Sequence, residues 1–320
     1  MKEIKNILIC GAGMMGKNIG YVFASNPSFQ VGMYDLYPTD VEAGIRTNTR
    51  QLLDKGVITE QELSDRLSRI SFTNDIDSDL VKNADLVIEA VFEDMKIKRE
   101  TFAKLEARCR PDTIFCTNSS VMSPSEISAE LQHRERFVGT HFWNPGHLIP
   151  LVEVVKSDAS SDEVAQTVME VLRSVGKKPV LCKKDVPGFI ANRMQHALWR
   201  EAISIVENGI ADAATVDEAV RYSFGLRLPQ LGPMENADMV GTDLTYNIHD
   251  YILKDLEDSH EPSPLLKKLR DEGKIGFKTG EGFRTWTKEE TSESASELND
   301  YLIHMLDDPD YILSGHHVAQ

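Results

Sequence analysis

The stretch KNILICGAGMMG, residues 5–16, decides the fold, because a short apolar run leads directly into a G-x-G-x-x-G turn and then a helix-compatible sequence. This order predicts the strand, tight turn and helix of a dinucleotide-binding unit. The first glycine would make the turn, the second would leave room for a pyrophosphate, and the third would let the helix pack closely on the strand. Backbone N–H groups at the helix N-terminus would hold the phosphates. The predicted cofactor contacts of this loop are Gly11, Gly13, Met14, Met15 and Gly16.

Glycine clusters also occur in ordinary loops, so the next acidic residue is important. The run 30–34 is strand-like, and Asp35 ends it, 19 residues after Gly16. An acid at about this spacing accepts a hydrogen bond from the ribose 2′-hydroxyl of NAD, whereas it repels the 2′-phosphate of NADP. The sequence therefore predicts NAD as the cofactor.

Composition limits the class of protein. A net charge of −16 argues against a nucleic-acid partner, because binding to phosphates needs clustered Lys and Arg. The four cysteines form no C-x-x-C pair, which favours buried free thiols in a reducing compartment. No apolar leader precedes the first strand and no run of about 18 apolar residues occurs, so we expect a cytoplasmic protein without membrane contact. We expect no metal.

Short β-rich runs alternate with longer helical runs from Ile7 to about Lys183, which is typical of an open α/β sheet. The predicted fold is a Rossmann-type doubly wound sheet with a helical hairpin insertion, followed by an all-α C-terminal domain. The strand-like runs after the first two are 85–89, 113–117, 137–140, 151–155 and 179–182. The predicted parts are an NAD-binding domain at 1–184 with a two-helix hairpin at about 38–69, a helical substrate and dimerisation domain at 185–286, and an acidic linker with a tail helix at 287–320.

A histidine and a glutamate are the first candidates for catalysis. His141 follows a predicted strand, and Glu153 lies twelve residues later inside the apolar run 151–155. A carboxylate in a strand core needs a partner, and a histidine paired with it would be oriented and made more basic. Such a pair could also be purely structural. Ser120 and Asn192 follow other strand-like runs, and their convergence with the pair on one cleft is an inference.

At these residues the chain resembles the L-3-hydroxyacyl-CoA dehydrogenase family, from Ile7 to about Trp286. The motifs that carry the resemblance occur in the family's order: 11–16, 118–120, 141–145, 151–154, 187–193 and 278–283. The resemblance implies that His141 is the general base and Glu153 its partner, while Ser120 and Asn192 hold the reacting oxygen. It also implies nicotinamide and ribose contacts at Glu93, Lys98, Asn118, Asn144 and Lys278, and a homodimer formed through the helical domain.

The resemblance implies oxidation of a 3-hydroxy group by hydride transfer to NAD⁺, but it defines the substrate less well. A coenzyme A thioester needs basic residues over the cleft, and in the family the hairpin supplies a lysine and a serine. Lys55 matches the lysine, whereas Asn48 stands at the serine position. Arg46 and Arg50 lie nearby and could equally form a solvated helix face. We expect a 3-hydroxyacyl-CoA, by a small margin.

A free 3-hydroxy acid is the alternative substrate. The segment 146–153 resembles the branch of gulonate, carnitine and pyridine-carboxylate dehydrogenases and the lens λ-crystallins. Arg227 could clamp a free carboxylate, although an arginine at a helix end is more often solvated. His147 could line the pocket, but a loop-capping role is preferred. A non-catalytic NAD-binding protein of the crystallin type is a further alternative, although no catalytic residue is missing from its motif.

Overall fold

The structure, a computed structural model, describes residues 3–307. Eight strands of this part form one sheet in the order β3-β2-β1-β4-β5-β6-β7-β8, and all neighbours run parallel except β6 and β7. The strands are β1 (Asn6–Cys10), β2 (Gln30–Tyr34), β3 (Ile70–Thr73), β4 (Leu86–Glu89), β5 (Ile114–Thr117), β6 (Phe137–Phe142), β7 (Leu151–Lys156) and β8 (Lys178–Cys182).

Helices connect the strands and then continue alone. The helices up to β8 are α1 (Met14–Phe23), α2 (Val41–Asn48), α3 (Arg50–Asp54), α4 (Glu60–Leu67), α5 (Asp79–Lys82), α6 (Met95–Glu106), α7 (Pro124–Ile127) and α8 (Asp162–Ser174). After β8 follow α9 (Ala191–Glu207), α10 (Ala213–Arg221), α11 (Pro233–Val240), α12 (Thr242–Ile252), α13 (Pro264–Asp271) and α14 (Lys288–Asp307). This order confirms the predicted class, a Rossmann-type sheet followed by a helical domain.

The sheet is buried on both faces, as a parallel sheet requires. Ile7 and Ile9 belong to one apolar cluster, whereas Leu8 and Cys10 belong to the other. Alternate residues of a strand point to opposite faces, so β1 contributes to both layers of the core. The functional loops at the carboxyl ends of the strands are therefore carried by a rigid, close-packed base.

Three details differ from the sequence-based prediction. The edge strand β3 was missed, because it is short and only half-buried. The predicted two-helix hairpin contains three helices, because its first helix is divided at Thr49 into α2 and α3. Gly56, at a φ of +72°, then turns the chain towards α4.

The third difference concerns the predicted acidic linker. Residues from Lys288 onward form α14 instead, because Thr287 and Glu290 cap its start reciprocally: Glu290 Oε2 accepts from the Thr287 N–H at 2.7 Å, and Thr287 Oγ1 accepts from the Glu290 N–H at 3.1 Å. The predicted tail beyond residue 307 lies outside the described residues.

The described chain divides into two compact units. The first contains the residues up to Ala191 together with those from Glu297, and the second contains Asn192–Ser296. The predicted domain boundary at 184/185 falls a few residues before this division.

All four cysteines lie in the described part of the chain, where they are buried and form no disulfide. Between residues 3 and 307, no helix has the length and apolar character needed to span a bilayer. The cytoplasmic location stays a prediction.

Candidate active site

The glycine loop has the geometry that a bound dinucleotide needs. Gly11 has a φ of +107°, and a Cβ there would lie 2.6 Å from the Ala90 carbonyl oxygen. A Cβ on Gly16 would lie 1.8 Å from the Gly11 oxygen, so the turn and the helix meet too closely for any side chain. A Cβ on Gly13 would meet nothing within 4 Å, and no side chain caps α1 there. The loop therefore leaves open space and a helix N-terminus for a pyrophosphate.

Asp35 lies against this loop at the end of β2. Its Oδ2 accepts a hydrogen bond from the Ala12 N–H at 2.7 Å, and its Oδ1 accepts one from the Tyr37 N–H at 3.2 Å. The two bonds orient the carboxylate beside the glycine turn. The predicted ribose-binding acid and the predicted phosphate loop thus form one contiguous site.

The antiparallel pairing of β6 and β7 brings His141 and Glu153 together. The two residues are directly opposite each other in the register, and His141 Nδ1 lies 2.8 Å from Glu153 Oε2. His141 is 4% exposed and Glu153 is fully buried. Because Nδ1 is engaged by the carboxylate, Nε2 is the ring nitrogen left for another partner.

Further donors hold Glu153 in its ionised form. Its Oε1 accepts from the Ile190 and Ala191 N–H groups at 2.9 and 3.0 Å, and its Oε2 accepts from Trp143 Nε1 at 3.3 Å. Burial raises the pKa of Glu153, but the hydrogen bonds from His141 and the two backbone groups outweigh burial and hold that pKa below its ordinary value. A buried negative charge therefore stands next to the histidine.

The turn that supplies the two backbone donors is strained. Phe189 has a φ of +50°, which is uncommon for a residue with a Cβ, and its ring lies 5.7 Å from the His141 ring. The ring of Trp143 lies 5.3 Å from His141 on β6. The histidine is thus fixed by a carboxylate at Nδ1 and by two aromatic rings.

Sequence reasoning missed Glu89, which ends β4 and is fully buried. Its Oε1 accepts from Lys98 Nζ at 2.7 Å, and its Oε2 accepts from Thr117 Oγ1 at 2.7 Å. Lys98 also lies 3.1 Å from Glu93 Oε2. Burial raises the pKa of Glu89 in spite of Lys98. The signal was present in the sequence, since Glu89 is a carboxylate in an apolar strand, as is Glu153.

The predicted cofactor residues at this edge of the sheet differ in exposure. Lys98 is buried within the carboxylate pair, whereas Glu93 is exposed and accepts hydrogen bonds from the Ser119 hydroxyl and from the Ser120 N–H. Asn118 Oδ1 accepts from the Phe142 N–H at 2.9 Å and so ties the end of β5 to the end of β6. Asn144 is exposed in the loop after β6.

The cations predicted on the hairpin are already paired. Lys55 Nζ lies 3.0 Å from Asp300 Oδ1 of α14, and Arg50 pairs with Asp54. Arg46 pairs with both Glu42 and Glu60. The Asn48 side-chain amide donates to Asn18 Oδ1 at 2.7 Å. A cleft of about 550 Å³ lies on this hairpin, lined by Arg46, Thr47, Arg50, Leu53, Asp54 and Glu60.

Three predicted site residues belong to the second unit. Asn192 is buried directly after Ala191, whereas Arg227 and Lys278 are exposed. The convergence of these three residues with His141 stays a prediction. Between residues 3 and 307, no group of three or more His, Cys, Asp or Glu side chains is arranged to hold a metal ion.

The fold and this geometry define a class: a dehydrogenase with a nicotinamide dinucleotide loop and a buried His–Glu pair. The chain belongs to the 3-hydroxyacyl-CoA dehydrogenase family, because the model of its NAD binding domain matches residues 6–186 and the model of its C-terminal domain matches residues 188–286. The protein is therefore an NAD-dependent oxidoreductase that acts on CH–OH groups, and the family reaction is the oxidation of a 3-hydroxy group.

Relatives of two substrate types are similar to the chain. The 5-formyl-3-hydroxy-2-methylpyridine 4-carboxylate 5-dehydrogenase of Mesorhizobium japonicum is 33% identical over 92% of this chain and 94% of its own length. A probable 3-hydroxybutyryl-CoA dehydrogenase of Bacillus subtilis is 37% identical over 91% of this chain and all of its own length.

Solved structures show the same two types. A crystal structure of the pyridine-carboxylate dehydrogenase, described as an NAD⁺-dependent dismutase, superposes with a TM-score of 0.86 at 32% identity over 94% of this chain and 97% of that chain. The 3-hydroxybutyryl-CoA dehydrogenase of Escherichia coli K12 gives a TM-score of 0.75 at 33% identity over 89% of this chain and 60% of that chain.

Proposed function

We propose that this protein oxidises the 3-hydroxy group of a small carboxylic acid with NAD⁺, using His141 as the general base and Glu153 as its partner. The observation that carries the proposal is the buried cross-strand contact of 2.8 Å between the ring and a carboxylate that is itself held by two backbone N–H groups. A histidine oriented in this way can remove a hydroxyl proton through Nε2.

NAD⁺ supplies the hydride acceptor when it is bound at the glycine loop. His141 takes the hydroxyl proton as the C3–H bond breaks, and the negative charge of Glu153 stabilises the imidazolium that forms. Ser120 and Asn192 would donate hydrogen bonds to the oxygen and hold C3 in position. In the reverse direction His141 would return the proton to the oxygen. Glu93, Lys98, Asn118, Asn144 and Lys278 are the proposed nicotinamide and ribose contacts.

A free 3-hydroxy acid is the better supported substrate. The Lys55 ammonium, which a coenzyme A thioester would need, is engaged by Asp300, and both nearby arginines are paired with carboxylates. Arg227 is exposed and is the proposed partner of a free substrate carboxylate. The close superposition with a pyridine-carboxylate dehydrogenase agrees with this assignment.

A 3-hydroxyacyl-CoA is the second candidate, because the hairpin and Lys55 are present and the curated relatives include 3-hydroxybutyryl-CoA dehydrogenases. Breaking an exposed ion pair costs little, since such pairs contribute at most about 1 kcal/mol. Lys55 could therefore exchange Asp300 for a phosphate of coenzyme A.

Two variants distinguish the candidates. If the substrate is a free acid, Lys55 contacts no part of it. Lys55→Ala then leaves the KM for free 3-hydroxybutyrate, carnitine or gulonate within about twofold, because no binding free energy is lost. If it is a thioester, Lys55→Ala raises the KM for 3-hydroxybutyryl-CoA about tenfold, whereas Asp300→Asn lowers it by releasing the lysine.

Steady-state kinetics on the four compounds make this measurement. Lys96→Ala, which removes an exposed lysine from a helix outside the hairpin, is the matched control. Turnover of the thioester at a rate well above that of every free acid, with the Lys55 effect, would reverse the ranking.

We also propose a homodimer formed through the helical unit. Of residues 192–296 only Asn192 is buried, so this unit has no buried apolar core of its own. Its exposed large apolar side chains include Trp199, Tyr222, Met234, Met239, Tyr246 and Tyr251. Apolar surface on this scale usually marks a protein interface.

Light scattering after gel filtration tests the dimer. We expect a mass about twice that of the 35.9 kDa chain at micromolar concentration, and a shift towards the monomer for Tyr246→Asp. Val57→Asp in the first unit is the control and should leave the mass unchanged. A monomer of the wild-type protein at all concentrations would refute the proposal.

A further inference from the structure

A small cleft of about 190 Å³ lies beside α1, apart from the residues proposed for catalysis. Five polar side chains line it, and all of them belong to the first unit: Tyr21, Ser25, Arg66, His147 and Lys177. Tyr21 comes from α1, Arg66 from α4, His147 from the loop between β6 and β7, and Lys177 from the residue just before β8. The cleft is larger than one water molecule needs, about 30 Å³, and it fits a small molecule of a few atoms.

Two polar atoms in this cleft are buried without a hydrogen bond. Within residues 3–307, neither Tyr21 Oη nor His147 Nδ1 makes a hydrogen bond of normal geometry, although the Tyr21 side chain is only 3% exposed. Arg66 approaches the phenol oxygen as a donor without reaching that geometry. The two rings lie edge to face, with their centroids 6.4 Å apart. Buried polar groups are normally hydrogen-bonded, so two orphans lining one cleft indicate a missing partner. Both atoms can donate, the phenol through O–H and the neutral imidazole through an Nδ1 proton.

The charge around the two atoms is positive. The Arg66 guanidinium lies 4.7 Å from the centre of the Tyr21 ring, and no carboxylate between residues 3 and 307 lies within ion-pair distance of it. Lys177 is buried and donates to the Gly146 and Ile149 carbonyl oxygens at 2.7 and 2.8 Å, which leaves its third N–H unassigned.

Three acids share α4 with Arg66, and each has a partner elsewhere: Glu60 pairs with Arg46, Asp65 accepts from Gln61, and Glu62 caps the helix. Glu62 accepts from the Thr59 N–H at 2.7 Å and from the Thr59 hydroxyl at 2.9 Å in the capping box of α4. The charge of Glu62 still reaches Tyr21. Burial raises the pKa of Tyr21, the Arg66 charge and the approach of Arg66 as a donor lower that pKa, and the Glu62 charge raises it. Burial and the neighbouring Lys177 charge lower the pKa of His147 to about 4, so its ring is neutral near pH 7.

We propose that this cleft binds a small oxyanion, a carboxylate or a phosphate, with Tyr21 Oη and His147 Nδ1 as neutral donors and Arg66 and Lys177 as the cations. An anion accepts from all four groups, whereas a cation would face two positive charges. An oxyanion bound in the cleft would link α1 and α4 to the segment 146–149, which Lys177 already holds by two hydrogen bonds. The proposal does not rest on the proposed function, because none of its residues belongs to the catalytic group.

The His147 ring resonances provide the test. In the wild-type protein near pH 7, sodium phosphate and sodium acetate are titrated separately against sodium chloride at equal ionic strength, and the ring ¹⁵N shifts are assigned with His147→Gln. We expect a saturable shift with one or both oxyanions and none with chloride. The anion that saturates at the lower concentration identifies the source of the ligand.

Two variants make the result specific to the cleft. Arg66→Gln and Tyr21→Phe should each raise the midpoint at least tenfold, whereas Arg50→Gln on the hairpin should leave it unchanged. Tyr21→Phe removes only the hydroxyl, and Arg66→Gln leaves a shorter, uncharged polar side chain. Circular dichroism verifies the fold of both variants; if Tyr21→Phe does not fold, Arg66→Gln decides alone. The proposal would be overturned if neither oxyanion gave a saturable shift, or if chloride or the Arg66→Gln variant gave the same shift. Either result would mean that only water fills the cleft.

Discussion

We expect His141→Gln to lower turnover by about 10²–10⁴, the usual contribution of a positioned general acid–base group, while NAD⁺ affinity changes less than about threefold. Glutamine fills a similar space and can still accept a hydrogen bond, but it cannot take the hydroxyl proton. The glycine loop and Asp35 are untouched, so cofactor binding should persist. Stopped-flow measurement of NADH formation gives the rate, and fluorescence titration gives the NAD⁺ affinity.

The matched control is His133→Gln, because His133 is half-exposed and lies directly before the short 3₁₀ helix Arg134–Arg136 that precedes β6. Its turnover should equal that of the wild-type protein. If His141→Gln instead turned over at more than about a tenth of the wild-type rate, another group would have to be the base.

The second large effect is expected for Glu153→Gln. The substitution removes the negative charge that stabilises the His141 imidazolium, so we expect turnover to fall by roughly 10²–10⁴, as for a carboxylate that orients a catalytic histidine. A glutamine also has one acceptor oxygen for a site in which the Ile190, Ala191 and Trp143 N–H groups all donate. Leaving buried donors unpaired should cost about 1–3 kcal/mol of unfolding free energy. Urea unfolding and NADH formation measure the two effects.

The pH dependence of that stability gives a check with a defined sign. The pKa of Glu153 is lower in the folded protein than in the unfolded chain, where it is about 4.3. Its ionisation therefore stabilises the fold above about pH 4, and this contribution disappears as the pH falls through the folded pKa. The stability difference between wild type and Glu153→Gln should narrow below about pH 4 and stay constant above pH 6. Glu170→Gln on α8, where the carboxylate is partly exposed, is the control. A stability difference that does not change with pH would contradict an ionised Glu153.

The sequence was sufficient for the parts of the fold that depend on local patterns. The glycine turn, the alternating strands and an acid after β2 are short-range signals. They predicted the sheet correctly and placed Asp35 at the end of β2, whereas its contact with the ribose stays a prediction. The His141–Glu153 pair was also predictable, because an isolated carboxylate in a strand core needs a partner and the histidine stands one loop away.

Contacts between residues far apart in the chain were beyond that reasoning. Nothing near Lys55 indicates that Asp300 will neutralise it, since 245 positions separate the two residues. The burial of Lys98 was equally hard to predict. It depends on simultaneous ion pairs with Glu89 and Glu93, and these form only when α6 packs on the sheet. The break at Thr49 was missed because both of its flanks have helical periodicity.

NADH formation from NAD⁺ and a panel of 3-hydroxy acids and their coenzyme A thioesters, followed side by side for wild type and His141→Gln, tests the central claim most directly. The account predicts that the wild-type protein reduces NAD⁺ with at least one 3-hydroxy compound and that the variant, with NAD⁺ still bound, loses at least 99% of that rate, in accord with the about 10²-fold lower limit for general base catalysis. Tight NAD⁺ binding without NADH formation on any compound of the panel, or equal rates in the two proteins, would contradict it.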